Sequence, residues 1–200
     1  MTHPVPVSCK TSTPWGTADY AYHHARGVIF YTTPGHGGYK VSLTKALQMP
    51  PALAKMGMNW GGALWFEEDC QYAAVPLAFP ELFSAEQVEQ AKQSLLNWSH
   101  EAYEEFCGVV LTAEQSRSKA EALFKQENLG KLVVFSAQTE TPEMVKVYAR
   151  ELVERYRGGG QEWAFLVPAA EYAKRSLFGF VIEPGNIRRW RFRACNLAQN

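Results

Sequence analysis

Residues 84–106 have the sequence SAEQVEQAKQSLLNWSHEAYEEF, and two features of this stretch predict a long amphipathic helix. Ser84 and Gln87, three residues apart, match a capping box, in which each side chain binds a backbone amide at the helix start. Behind this box, apolar residues recur at steps of three and four, which places them on one face of a helix. These residues are Val88, Ala91, Leu95, Trp98, Ala102 and Phe106.

The glutamates of this stretch fall largely off the apolar stripe, so we expect a solvated outer face, with a binding surface for a basic protein as the alternative. Thr112 and Gln115 repeat the capping-box spacing. They predict a second helix, which Gly130 would end because glycine readily adopts the left-handed conformation found after helices.

Strands are predicted on both sides of the two helices, where runs rich in β-branched and aromatic residues are bounded by turn residues. They cover residues 19–24, 27–33, 39–42, 131–137, 163–167, 178–182 and 186–194. Residues 143–150 fit a helix that starts at Thr141-Pro142, which would add a parallel strand pair, and their alternation also fits a strand. The element order predicts an α+β fold, with one antiparallel sheet of N- and C-terminal strands packed against two central amphipathic helices.

Composition and charge narrow the possible function classes. The chain has 200 residues, with 20 basic and 20 acidic residues and a formal net charge of zero. This balance argues against a strongly basic nucleic-acid binder and against an acidic DNA mimic. The length favours a single α+β domain over residues 15–200, behind an irregular, proline-containing arm over residues 1–14.

The cysteines and the apolar runs indicate the compartment. Cysteines stand at positions 9, 70, 107 and 195 and form neither a C-x-x-C pair nor a zinc-ligand spacing. The N-terminus lacks a signal-peptide pattern, and no apolar run approaches the roughly 18 residues needed to span a bilayer. We therefore expect a cytoplasmic protein with free thiols, no membrane association, no bound metal and no cofactor.

His36 is the first candidate catalytic residue, because glycines flank it in Pro34-Gly35-His36-Gly37-Gly38. Flanking glycines let the backbone approach a ligand and leave the imidazole accessible. Histidine suits general acid–base chemistry near neutral pH. The alternative is a hairpin turn with a solvated histidine.

A second candidate is the acidic run Glu67-Glu68-Asp69-Cys70. Glu68 or Asp69 beside His36 would form a base–orienter pair or a set of metal ligands. A third arrangement makes Cys70 a nucleophile with His36 as its base. The alternative is a helix start, where acidic side chains bind free amides and complement the helix dipole.

The C-terminal segment Arg188-Arg189-Trp190-Arg191-Phe192-Arg193 is a candidate binding surface. In a strand, Arg189, Arg191 and Arg193 share one face and would present bidentate donors for phosphate or carboxylate. The alternative is an edge strand that its charges protect against pairing with another chain. Arg188, Trp15 and Trp65 complete the candidate binding residues.

Several sequence blocks together resemble a bacterial family of unknown function found on chromosomes, plasmids and phages. The blocks are Thr13-Pro14-Trp15-Gly16, His36-Gly37-Gly38-Tyr39-Lys40, Trp65-Phe66-Glu67-Glu68-Asp69-Cys70, Phe165-Leu166-Val167-Pro168, Glu171-Tyr172-Ala173 and Phe178-Gly179-Phe180-Val181-Ile182. They lie within residues 13–82 and 163–184. The resemblance implies a mobile-element context, in which accessory proteins often counter host defences.

These observations lead to three functional hypotheses. The first is a non-enzymatic accessory protein that binds a host protein or ribonucleoprotein complex and inhibits a defence system such as a CRISPR effector. The second is a small hydrolase or transferase centred on His36 with Glu68 and Asp69. The third is a weak nucleic-acid binder that uses the C-terminal arginines.

Overall fold

Antiparallel sheets and α-helices make up the described part of the chain, which confirms the predicted α+β class. A computed structural model describes residues 4–69, 71–154, 161–185 and 187–193. The chain divides into two compact units, residues 1–120 and 121–200, and each is described by itself below. The single domain over residues 15–200 stays a prediction.

The first unit is built on a six-stranded sheet. Its strands are β1 Pro6–Ser8, β4 Tyr20–Ala25, β5 Val28–Thr32, β6 Gly37–Ser42, β7 Met58–Trp60 and β8 Ala63–Glu67; β2 Ser12–Thr13 and β3 Gly16–Thr17 form a separate small hairpin. All neighbours in the sheet are antiparallel, in the order β1-β4-β5-β6-β8-β7. Strands β4, β5 and β6 confirm the predicted N-terminal strands.

The predicted irregular arm contains regular structure. Strand β1 pairs with β4, with Val7 opposite Ala21. Strands β2 and β3 also begin within or next to the arm. The prediction of an irregular segment over residues 1–14 is therefore wrong for these residues, because their backbone groups find partners at the sheet edge and in the hairpin.

Helices lie between and after these strands along the chain. They are α1 Leu43–Ala46, α2 Pro51–Ala54, α3 Ala74–Ala78, α4 Ala85–Trp98, α5 His100–Cys107 and α6 Arg117–Glu127, with a 3₁₀ turn over Pro80–Leu82. The capping box before α4 is confirmed, since the Gln87 amide donates to Ser84 Oγ and the Ser84 amide donates to Gln87 Oε1. Helix α6 spans the division between the two units.

The predicted long helix is interrupted at Ser99. Its backbone there is not helical, with φ −144° and ψ 59°. The amide of His100, at the start of α5, donates to Ser118 Oγ over 3.1 Å. Before the break, Leu95 is buried, whereas Trp98 is 58% exposed and contacts the Arg117 guanidinium.

The second predicted helix starts later than its capping box indicates. Thr112 and Gln115 form only half of the box, in which the Thr112 amide donates to Gln115 Oε1. Helix α6 begins at Arg117, and Ser116 Oγ accepts from the Lys119 amide over 3.3 Å. The buried Ser116 hydroxyl also donates to the Leu96 carbonyl, which holds this start in place.

Two cores lie on opposite faces of the sheet, because side chains along each strand alternate between the faces. The larger core packs the helices on one face, and Phe66 and Leu53 are 0% exposed within it. The smaller core lies on the other face and centres on Trp65, which is 1% exposed. Successive residues of β8 are thus buried on both sides of the sheet.

His24 lies at the edge of the larger core. Its ring contacts the rings of Tyr39 and Phe83, with centroids 5.5 and 4.7 Å away. Burial lowers the pKa of the His24 imidazole, and a hydrogen bond with the Leu82 backbone acts in the opposite direction. The folded state therefore favours the neutral ring.

The second unit contains a four-stranded antiparallel sheet. Its elements are β9 Leu132–Thr141, β10 Met144–Glu151, β11 Glu162–Pro168, β12 Arg188–Arg193 and the short helix α7 Ala169–Tyr172. The strand order is β12-β11-β10-β9. The N- and C-terminal strands therefore form separate sheets, which corrects the prediction of one shared sheet.

Residues 144–150 belong to strand β10, so the helix and the parallel strand pair that it would have added are both wrong. Thr141-Pro142-Glu143 lies at the turn between β9 and β10. Val147 and Ala149 are 0% exposed and lie two residues apart, which is the strand period. Pairing with β9 and β11 on both sides decided between the two patterns.

His24 predicts a pH dependence of stability. Because its pKa is lower in the folded state, the unfolded chain takes up a proton first as the pH falls below the ordinary histidine value of about 6.5. The free energy of unfolding should therefore be highest above that pH and decrease as the pH falls from 7 to 5. Thermal unfolding of wild type and His24→Gln at several pH values checks this.

Between pH 7 and pH 5, the melting temperature of His24→Gln should decrease less than that of wild type. His23→Gln changes the exposed neighbouring histidine and should follow wild type. Identical slopes for wild type and His24→Gln would contradict the assignment.

Candidate functional site

A tight turn between β5 and β6 positions His36. The His36 amide donates to Thr33 Oγ1, and the Thr33 amide and hydroxyl both donate to the His36 carbonyl at 2.7 and 2.8 Å. Pro34 and Gly35 form the tip of this turn. The turn confirms a hairpin at this point and leaves the His36 side chain 57% exposed.

The acidic residues lie at the end of β8, beside this turn. Strand β8 pairs with β6, with Glu67 opposite Gly38. The pairing continues one residue further, because the Glu68 amide donates to the Gly37 carbonyl over 3.0 Å. Two strands that are distant in sequence thus bring Glu67 and Glu68 to His36.

His36, Glu67 and Glu68 form a three-residue group. One nitrogen of His36 and one carboxylate oxygen from each glutamate all lie within 4.8 Å of one another. His36 Nδ1 is 3.8 Å from Glu67 Oε1. The other oxygen of Glu67 accepts from the Asp69 amide over 2.9 Å, which orients the carboxylate.

The structure thus groups His36 with Glu68, as predicted, and with Glu67 in place of Asp69. Asp69 contributes its backbone amide to the Glu67 carboxylate. The alternative of a helix start at this run is not found, since α3 begins at Ala74 and has no side-chain cap. Cys70 lies outside the described residues.

The distance between His36 Nδ1 and Glu67 Oε1 bears on whether the two side chains form a hydrogen-bonded pair. A hydrogen bond between nitrogen and oxygen requires roughly 2.7–3.2 Å, so 3.8 Å is too long for a base–orienter pair. The acid–base hypothesis therefore gains no support from this pair and stays a prediction. A shared cation fits the longer distance.

The two predicted tryptophans occupy the smaller core. Trp65 is 1% exposed, so its side chain contacts the protein's own residues and is not available to a partner. Its ring lies edge-on to Trp15 and Trp60, and Lys40 Nζ lies 5.5 Å from its centroid. Trp15 is half-buried and packs against Gly38.

The C-terminal arginines lie in β12, which confirms the predicted last strand and its edge position. Trp163 pairs with Arg193, and Leu166 pairs with Arg188, with an irregularity between them. The side chains of Arg188, Arg189, Arg191 and Arg193 lie outside what the structure describes, so their role in binding stays a prediction.

The sequence did not predict a group of exposed apolar residues at and near the β7 edge of the six-stranded sheet. We call it the β7 edge surface and define it by Leu43, Leu47, Met58 and Trp60. These side chains are 50%, 89%, 41% and 39% exposed. A signal was present in the sequence, because residues 56–66 contain no charged residue.

Met58 and Trp60 lie on the edge strand of the sheet, and Leu43 and Leu47 lie in and just after helix α1. Strand β7 is the last strand in the sheet order, and Trp60 pairs with Ala63 of β8. Helix α1 contacts β8; Leu43 begins that helix and Leu47 directly follows its last residue. An apolar edge strand without charge is the kind of surface that pairs with another chain.

A family model matches residues 8–129, which is more than half of the chain. The chain belongs to the family of the domain of unknown function DUF7007. The DUF7007 match includes His36, Glu67, Glu68 and the β7 edge surface. It does not include the resembling blocks over residues 163–184.

The chain was also compared with curated proteins and with solved structures. No curated protein and no solved structure matches the chain. Among the described helices, none is long and apolar enough to cross a membrane.

Packing at Gly38 gives a stability prediction. A Cβ atom at this position would collide with the Trp15 ring and with the Phe66 carbonyl oxygen, which belongs to the backbone and cannot turn away. Gly38→Ala should therefore destabilise the protein by about 1–3 kcal/mol. Chemical denaturation of the variant measures this change.

Gly35→Ala is the matched control in the same hairpin, because a Cβ atom there would meet nothing within 4 Å. It should stay within about 0.5 kcal/mol of wild type. Equal stability of the two variants would show that β6 and Trp15 are not in close contact.

Proposed function

We propose that the protein is a mobile-element accessory factor that acts by binding a host protein or ribonucleoprotein complex through the β7 edge surface. The observation that supports this proposal is the exposure of four large apolar side chains, with Leu47 the most exposed at 89%. Large exposed apolar side chains at and near an edge strand are typical of an interaction site.

The β7 edge surface is suited to an extended, apolar segment of a partner. Among the described strands, β7 has one neighbour, β8, so one side of its backbone faces away from the sheet. The Trp60 carbonyl accepts from Trp65 Nε1 within the protein. An extended segment of a partner would add a strand to this edge and satisfy backbone groups on that side. Since residues 56–66 carry no charge, the matching segment presents apolar side chains toward Met58 and Trp60.

The biological setting rests on the sequence blocks that resemble a family carried by plasmids and phages. Accessory proteins of such elements often act against host defence. Inhibition of a defence system such as a CRISPR effector is therefore the role that we propose for binding. The hydrolase or transferase and the nucleic-acid binder remain alternatives, the latter dependent on the β12 arginines.

A plasmid-interference assay in bacteria with an active CRISPR system tests the proposal. Expression of the wild-type protein should raise recovery of the targeted plasmid. Met58→Lys and Leu47→Lys should abolish this effect, because a lysine on an edge strand or at its rim opposes pairing with another chain. Both variants should keep wild-type thermal stability, since these side chains are exposed.

Leu177→Lys is the control, because Leu177 is 71% exposed and lies in the second unit. It should retain inhibition. Affinity capture with wild type and Met58→Lys gives a second readout, in which the partner is retained by wild type alone. Unchanged interference with wild type, or full inhibition by both lysine variants, would contradict the proposal.

A further inference from the structure

We propose that His36, Glu67 and Glu68 bind one divalent transition-metal ion of the zinc class. This site is separate from the β7 edge surface, and neither proposal depends on the other. Its support comes from the positions of the ligand atoms, the chemistry of the donor set and the close packing at Gly37.

The ligand atoms already lie near the positions that coordination requires. Zinc bonds to histidine nitrogen and carboxylate oxygen are about 2.0–2.2 Å long, so two ligand atoms on a tetrahedral ion lie roughly 3.4 Å apart. His36 Nδ1 and Glu67 Oε1 are 3.8 Å apart, and all three ligand atoms lie within 4.8 Å of one another. We expect side-chain rotations on metal binding to close the remaining distance.

The charges of the group favour a cation. Two carboxylates placed this close repel each other, and both are partly buried, so water screens them less than at a fully exposed site. A divalent ion between the carboxylates replaces that repulsion by attraction. The imidazole of His36 supplies a neutral third ligand on the solvent side.

Gly37 makes room for the group. A Cβ atom at this position would lie 2.5 Å from Glu68 Oε2 and 3.0 Å from the Phe30 ring. The Glu68 carboxylate therefore occupies the space that any other residue would fill. The absence of a side chain at Gly37 is what allows Glu68 to approach the His36 turn.

The donor set selects the class of ion. One imidazole with two carboxylates suits zinc and its transition-metal neighbours, whereas magnesium and calcium prefer oxygen ligands alone. Three protein ligands leave a fourth position of a tetrahedral ion open to water or to a group from another molecule. The proposal extends to binding of the ion and includes no reaction.

Isothermal titration of the full chain with zinc chloride, in a buffer that does not chelate metal, tests the site. We expect one ion per chain. His36→Ala, Glu67→Gln and Glu68→Gln should each weaken binding at least 10-fold, while magnesium chloride should bind at least 10-fold more weakly than zinc. Far-UV circular dichroism checks that each variant is folded.

Matched controls separate this site from adventitious binding. His23→Ala and Glu81→Gln remove an exposed histidine and an exposed glutamate elsewhere and should leave the affinity unchanged. Gly37→Ala keeps all three ligands but displaces Glu68, and should weaken binding about 10- to 100-fold, as loss of a supporting contact does at other metal sites. Gly35→Ala should bind like wild type.

The proposal is overturned if wild type binds no zinc at 100-fold molar excess. It is equally overturned if His36→Ala or Glu68→Gln binds as tightly as wild type, or if His23→Ala reduces binding as strongly as His36→Ala does. A Gly37→Ala variant that is folded and binds normally would show that the approach of Glu68 does not form the site.

Discussion

The first unit depends on strand β8, whose side chains are buried in apolar cores on both faces of the sheet. Trp65 and Phe66 are adjacent in sequence, point to opposite faces of the sheet and are 1% and 0% exposed. Because apolar cores on both faces hold this strand, its register against β6 and β7 is strongly specified. The candidate metal ligands at one end of β8, and the apolar edge beside it, both follow from that register.

The two candidate sites use the strand in different ways. Where the apolar run ends, Glu67 and Glu68 emerge beside the β5–β6 turn, and the absence of a side chain at Gly37 admits the second carboxylate. The uncharged run over residues 56–66 contains all of β7 and most of β8, so the edge strand β7 carries no charged side chain. A charged edge, which natural sheets commonly use against unwanted pairing, is absent from β7.

Local sequence signals predicted many of the elements but missed β7 and β8. The strand predicted over residues 178–182 is wrong, because only isolated bridges occur there, at Gly179 and Val181. The Ser84–Gln87 capping box, the early strands and the last strand were predictable from residue type and spacing alone. The break at Ser99 and the start of α6 were not, because hydrogen bonds between residues 18 to 20 apart accompany them. The His100 amide donates to Ser118 Oγ, and Ser116 Oγ donates to the Leu96 carbonyl. The apolar residues over 143–150 fit both the helical and the strand period, and only the pairing of β10 with β9 and β11 decides in favour of the strand. The grouping of His36 with Glu68 was predictable. That Glu67, and not Asp69, is the third member was not predictable, because it depends on the turn after β8.

Hydrogen–deuterium exchange of the protein, alone and bound to its captured partner, tests the central claim most directly. The claim is that β7 forms the binding edge. In the free protein, the backbone amides over residues 58–60 that do not pair with β8 should exchange rapidly. Binding should slow them more than any amides of the second unit. Unchanged exchange over residues 58–60, with protection located in another part of the chain, would contradict the account.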